Sequence, residues 1–161
     1  MEFKSASHQK VHDKTRDFLQ SLFGEIAVKS IGDSFVLQEG STFVYVRVLP
    51  VGETKTVVEV FSYVVVGVAL TEELLRFLLV HNLKLILGAF GISVEPDGKG
   101  IIILNHSILG NSMEREELYG SVSAIARVAD EIDEQIVAMF GGSTALDKLM
   151  SKERPPVEIW E

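Results

Sequence analysis

The stretch TFVYVRVLP (Thr42–Pro50), the link VGETK (Val51–Lys55) and the stretch TVVEVFSYVVVGV (Thr56–Val68) together read as two long strands joined by a hairpin loop. β-Branched residues dominate both arms, and such side chains, stiff at χ1, favour extended chain. The even positions Val44, Val46, Val48, Val58, Val60, Val64 and Val66 are all valine, so one face of the hairpin is core. The odd positions differ: Phe43, Tyr45, Arg47 and Leu49, then Val57, Glu59, Phe61, Tyr63 and Val65. Pairing residues whose numbers sum to 106 sets Arg47 opposite Glu59, Tyr45 opposite Phe61, Phe43 opposite Tyr63 and Leu49 opposite Val57. Favourable charge and aromatic cross-strand pairs contribute roughly 0.2–1 kcal/mol each, which favours this register over its neighbours.

Upstream, Val11, Thr15, Phe18 and Leu22 share one face of a helix predicted over about Ser7–Phe23 and stopped by Gly24. Two short extended runs, around Ile26–Lys29 and Phe35–Leu37, flank a Gly32-Asp33 turn and lead into the hairpin. Downstream, Thr71-Glu72-Glu73 opens a helix with a capping threonine and acids where the helix dipole favours them. Leu74, Leu75, Leu78 and Leu79 follow, and the helix is expected to end near His81-Asn82. Phe90, Ile92 and Val94, the Pro96-Asp97-Gly98 turn and Ile101–Leu104 form a second hairpin.

Asn111 with Glu114 three residues on reads as a capping box for a last, long helix. Its Leu118, Val122, Ile125, Ala129, Ile132, Ile136 and Met139 recur at alternating spacings of four and three, and Gly141-Gly142 closes it. Glu114, Glu116, Glu117, Asp130, Glu131, Asp133 and Glu134 make its outward face acidic, against Arg115 and Arg127. The order α-β-β-β-α-β-β-α describes an α+β fold, an antiparallel sheet packed with helices. One domain is expected over residues 1–142. Residues 143–161 are expected to add a short helix, broken at Arg154-Pro155-Pro156, and a loose tail from Val157 to Glu161.

A chain of 161 residues is long enough for one domain with its own core. Hydrophobic residues make up 47% of it, which excludes disorder for most of its length. The absence of cysteine excludes a disulfide scaffold, a thiol catalyst and a cysteine-ligated metal. A formal charge of −8, with the basic run Lys10, Lys14 and Arg16 diluted by Asp13 and Asp17, argues against nucleic acid and anionic membrane as partners. Met1–His8 lacks the apolar core of a signal peptide. The apolar run Val57–Leu70 carries Glu59 and is shorter than the ~20 residues a membrane helix needs. A cytoplasmic location is the expectation.

The chemistry-bearing residues do not assemble into a catalytic pattern. His8 and His12 stand at the i, i+4 spacing of a helical metal pair, but no third ligand follows, and a solvated pair is the stronger reading. His81 and His106 read as residues at element ends, and Asp130, Glu131, Asp133 and Glu134 as a solvated helix face rather than a calcium loop. Gly98-Lys99-Gly100 lacks the strand-to-helix setting of a phosphate loop. The expectation is therefore a protein without catalytic residues, metal or cofactor, and not an enzyme. The odd-numbered hairpin face is the stronger candidate. Phe43, Tyr45, Arg47, Leu49, Glu59, Phe61 and Tyr63 combine the residue types enriched where proteins meet, either there or at the adjoining sheet edge. Cover by one of the chain's own helices is the competing explanation for this face.

The element order resembles that of the type III secretion chaperone-like superfamily, including the YbjN family and related cyanobacterial and plastid proteins, over roughly Val11–Gly142. The resemblance is carried by the leucine-rich helix from Thr71, Asn82-Leu83, Gly88-Ala89-Phe90-Gly91-Ile92, the Asp97-Gly98 turn, Ile101-Ile102-Ile103-Leu104, and Ala129-Asp130 in the closing helix. It implies a non-enzymatic acidic chaperone or adaptor, commonly a homodimer, that holds protein or peptide segments against its sheet and helices. The alternative is a small ligand-binding or regulatory domain of the sensory-transduction type. The ligand-binding form of it requires an enclosed pocket in which polar groups such as His81, Asn82 and His106 converge.

Overall fold

The computed structural model describes residues 2–150. Helix α1 (Ala6–Phe23) leads into β1 (Lys29–Ile31), β2 (Ser34–Glu39), β3 (Thr42–Val51) and β4 (Lys55–Val68). Helix α2 (Glu72–Asn82), β5 (Ala89–Val94), β6 (Gly100–Leu109) and α3 (Arg115–Phe140) follow, then β7 (Ser143–Thr144) and α4 (Ala145–Met150). The α+β order stands; the first of the two short extended runs forms its strand at Lys29–Ile31, and β7 is an added two-residue strand between the long helix and α4. All ladders are antiparallel, in the order β1-β2-β3-β4-β6-β5. The tail expected beyond Arg154 lies outside the described residues.

The central register agrees with the cross-strand pairing. Arg47 faces Glu59, Tyr45 faces Phe61 and Leu49 faces Val57. The ladder stops at Tyr45–Phe61, so Phe43 and Tyr63 are not paired in it; beyond that point the hydroxyls of Thr42 and Ser62 lie 3.1 Å apart. Strand β4 continues without β3, and β7 pairs with Val65 and Val66.

The all-valine face holds only as far as Val64. Against β6 the register shifts between Tyr63 and Val65, a bulge that turns the following side chains over. Val65 enters the main core, and Val66 packs with Phe61, Tyr63, Ile101 and Ile103 on the other face. A second shift falls at Gly67, whose φ of +70° suits glycine, and returns Val68 to the main core.

Helices α1, α2 and α3 cover the valine face. On α1 the buried line is His8, Val11, Thr15 and Leu19, so it is Leu19 rather than Leu22 that sits deepest. Thr71 caps α2 as expected, accepting the Leu74 N–H, but only Leu74 and Leu78 of its leucines are buried. The N-cap of α3 is Glu114, paired with Glu117 in a capping box. Asn111 is engaged elsewhere. Its Oδ1 accepts from Thr56 N–H (2.8 Å) and Oγ–H (3.0 Å), while its Nδ2 donates to Ser7 Oγ and Thr54 O. These bonds tie the β3–β4 loop to the start of α1. The stripe on α3 is buried from Leu118 to Ile136, but Met139 is exposed and the acidic Asp133 is buried.

Candidate functional site

A cavity of about 600 Å³ opens on the helical side of the sheet, between the end of α1, the end of β2 and the middle of α3. Leu37, Val44, Val122 and Ala126 form its buried floor, and Leu22, Phe23 and Tyr119 its wall. The Phe23 and Tyr119 rings stack with centroids 5.8 Å apart. Gln38, Glu39, Ser123, Arg127 and Asp130 supply a polar rim. Strand β1 pairs with β2 only from Ser34 to Val36, so among the described residues no strand pairs with the outer edge of Leu37–Glu39 beside the cavity. An apolar trough next to an open strand edge is the geometry that receives an extended peptide, whose backbone bonds the edge while alternate side chains enter the trough.

The turn bounding this cavity is latched to α3. Ser41 donates to Asp130 Oδ1 from its backbone N–H (2.9 Å) and its hydroxyl (2.6 Å). Gly40 has φ +56°, which favours glycine, and a Cβ there would lie 2.6 Å from the same carboxylate oxygen, so a larger residue would displace the Asp130 side chain from the latch. The Ser41 hydroxyl and N–H hold the Asp130 carboxyl below its ordinary range, whereas burial pushes Asp133 up. The acids read from the sequence as one solvated face are thus divided, with Asp130 serving as a latch and Asp133 inside. Among the described residues no three His, Asp or Glu side chains are grouped to hold a metal.

The seven residues nominated from the sequence share the opposite face of β3 and β4. Arg47 Nη2 donates to Glu59 Oε2 at 2.7 Å, and the guanidinium lies 5.4 Å from the Phe61 ring centroid. Tyr45 stacks on Phe61 at 5.2 Å, and Tyr63 meets both rings edge-on. Phe43, Tyr45 and Leu49 are half-buried; Arg47, Glu59, Phe61 and Tyr63 are buried. Burial pushes the Tyr63 hydroxyl up to about 12 and Tyr45 in the same direction. Helix α4 covers part of this face, with Ala145 packed into the Phe61–Tyr63 cluster.

The histidines serve packing. His8 is buried, with Nδ1 3.3 Å from the Lys4 N–H and Nε2 3.1 Å from Val48 O, and the His12 ring lies 4.8 Å from that of Phe35. This corrects the solvated-pair reading: both rings anchor α1 to the sheet. Burial lowers the pKa of His12. His81 Nδ1 lies 2.9 Å from Phe77 O, and Asn82 clamps the Phe90 backbone through both N–H and C=O. His106 lies inside β6 opposite Val60, not at an element end, because β6 runs on past Leu104 to match the long β4. None of His81, Asn82 and His106 lines the cavity.

The sequence reading missed one surface. Leu79 (68% exposed), Leu83 (89%) and Ile86 (97%) stand in solvent along and just beyond α2, beside the charge-free edge strand β5. The signal was present, since leucines at 74, 75, 78 and 79 span too wide an arc for one buried stripe.

Residues 9–148 match the family model described as T3SS (YopN, CesT) and YbjN peptide-binding chaperone 1. The chain belongs to this family. The fold is also similar to the crystal structure of YbjN from E. coli, with a TM-score of 0.54 and 13% identity over 76% of this chain and 91% of that one. Curated proteins offer no match. Among the described residues no helix is long and apolar enough to cross a membrane.

Proposed function

We propose that this protein is a non-enzymatic chaperone or adaptor that holds extended segments of partner proteins, and that it works as a homodimer in the cytoplasm without a cofactor. The observation that carries the reading is the cavity between α1 and α3 beside the end of β2, where no strand among the described residues pairs with the outer edge of Leu37–Glu39. Its apolar floor suits side chains at alternate positions of an extended segment, and Arg127 on its rim, exposed and without an ion pair among the described residues, suits an acidic group on the same segment. Membership of a peptide-binding family supports the partner class. The exposed leucines of α2 and the uncharged β5 edge support a second copy as the occupant of that other surface, because natural sheet edges left in water carry charges or proline. The −8 charge supports neither nucleic acid nor anionic membrane as partner.

The cavity's volume also falls within the ~300–1,000 Å³ of small-molecule sites, which favours a ligand-binding domain as the second reading. Selection of random peptides displayed on phage against the purified protein, followed by titration of the enriched peptides, separates the two. Enriched peptides with alternating apolar residues are expected, and Ser123→Arg in the cavity wall is expected to abolish their binding. Failure to enrich any sequence, or undiminished binding to the S123R protein, would overturn the peptide reading.

A further inference from the structure

Strand β5 is the outer strand at one end of the sheet, and its turn fixes which of its backbone groups face outward. The Glu95 N–H donates to Lys99 O, and Glu95 O accepts the Gly98 N–H, so the backbone groups of Glu95 point toward the β6 side. Successive residues of a strand direct these groups to opposite sides, so those of Ser93, Gly91 and Ala89 face β6 and those of Phe90, Ile92 and Val94 face outward. Phe90 agrees, and it is already engaged: its N–H donates to Asn82 Oδ1 at 2.7 Å, and its C=O accepts from Asn82 Nδ2 at 3.3 Å. The Asn82 carboxamide thus stands in for a neighbouring strand at one residue. Ile92 and Val94 have no such partner among the described residues, which leaves the N–H and C=O of both open. None of the six residues of β5 is charged or proline, the usual guards of a sheet edge in water, whereas β1 at the opposite edge has three residues and carries Lys29.

We propose that β5 pairs antiparallel with β5 of a second copy, with Ser93 on the two-fold axis, so that the two sheets continue into one. The pairing rests on the homodimer proposed above and supplies its contact. The open groups select both the occupant and the register. With Ile92 opposite Val94 of the second copy, and the reverse, every open group of both strands is used. A slip of two residues in one direction sets Ile92 opposite its own copy and Val94 opposite Phe90, whose groups Asn82 already holds. The same slip in the other direction sets Ile92 opposite Pro96, which has no N–H. A slip of one residue sets outward groups against residues whose groups face β6. In the selected register Glu95 stands opposite Gly91 of the second copy, so like charges do not meet. Val94, 64% exposed, gains Ile92 of the second copy as its neighbour on the face that packs with α2. A foreign segment would have to bring both the spacing of free groups and the apolar side chains, whereas a second copy has both.

The chain has no cysteine, so one introduced on the axis reports the register directly. Ser93 and its copy form a non-hydrogen-bonded pair with Cα atoms about 4.5 Å apart, within the span a disulfide bridges. Ser93→Cys, oxidised with glutathione disulfide at micromolar concentration, is expected to yield a disulfide-linked dimer. Gly91→Cys, with open space for its Cβ, is expected to crosslink at least about ten-fold more slowly, because its two copies lie about 13 Å apart along the strands. Val94→Pro removes a donor that no described residue uses, and it is expected to give a monomer with unchanged circular dichroism where wild type sediments as a dimer. S93C remains informative where V94P fails to fold. An S93C protein that is dimeric but does not crosslink, G91C crosslinking as fast as S93C, or a folded V94P as dimeric as wild type would overturn the pairing and leave the homodimer standing. A wild-type monomer at micromolar concentration would remove both.

Discussion

The guanidinium of Arg47 donates from Nη2 to Glu59 Oε2 at 2.7 Å, across the central hairpin, with both residues less than a tenth exposed. Two ions so placed have given up most of their hydration, and each is tolerable because the other is present. Removing one strands the other. Arg47→Met and Glu59→Leu are each expected to lower stability by about 3–5 kcal/mol, and the two combined by far less, or even to raise it. Urea unfolding of the two singles and the double closes the cycle; additive losses would show that the charges do not depend on one another.

Asp130 and Asp133, three residues apart on α3, respond to pH in opposite senses. The Ser41 hydroxyl and N–H hold Asp130 low, so the unfolded chain takes up its proton first; the stabilisation is present above the ordinary carboxylate range and is lost as pH falls through the lowered value. Burial raises Asp133, so the native chain takes up its proton first, and stability is lost as pH rises through the raised value. Asp130→Asn is expected to be less stable than wild type at neutral pH, with the deficit closing in acid. Asp133→Asn, which keeps an acceptor for the Glu134 N–H, is expected to be more stable at neutral pH, with the gain vanishing in acid. Urea midpoints measured across the acid range check both signs.

Asn111 joins three segments by accepting from Thr56 and donating to Ser7 and Thr54. Hydrogen bonds of this kind contribute about 0.5–1.5 kcal/mol each, so Asn111→Ala is expected to cost about 1–3 kcal/mol. Amide exchange distinguishes this role from helix capping. Faster exchange is expected around Thr56, with the first turn of α3 unchanged, because Glu114 and Glu117 cap that helix.

Leu79 on α2 is 68% exposed in a single subunit, beside Leu83. If a second copy covers this helix, Leu79→Glu buries a charge at the contact and splits the dimer while leaving the fold intact. Sedimentation velocity is expected to give a dimer for wild type and a monomer with unchanged circular dichroism for L79E. A wild-type monomer at micromolar concentration would remove the homodimer from the proposed function.

Local sequence determined the elements whose signals are periodic or chemical over a few residues. Thr71 caps α2 because its hydroxyl meets an N–H three residues away, and Arg47 meets Glu59 because strand alternation and a short loop leave one register that pairs charges and rings together. The α3 stripe and the Gly141 stop are equally local. Where contrast disappears, so does the signal. Val64, Val65 and Val66 are identical, so nothing in the run marks the bulge that sends Val65 to one core and Val66 to the other; β6 decides it. Asn111 and Glu114 both suit a cap, and only the nearness of Thr56 and Ser7, 55 and 104 residues away in the chain, draws Asn111 elsewhere. The cavity is likewise built from α1, β2, β3 and α3, segments far apart in sequence, none of which shows a binding pattern alone. The sequence by itself determined the fold class, the central register and the absence of cysteine chemistry, because those depend on neighbours along the chain. The tertiary structure decided which leucines face water, which acids are latched or buried, and where a trough opens, because burial belongs to surfaces that exist only once distant segments meet.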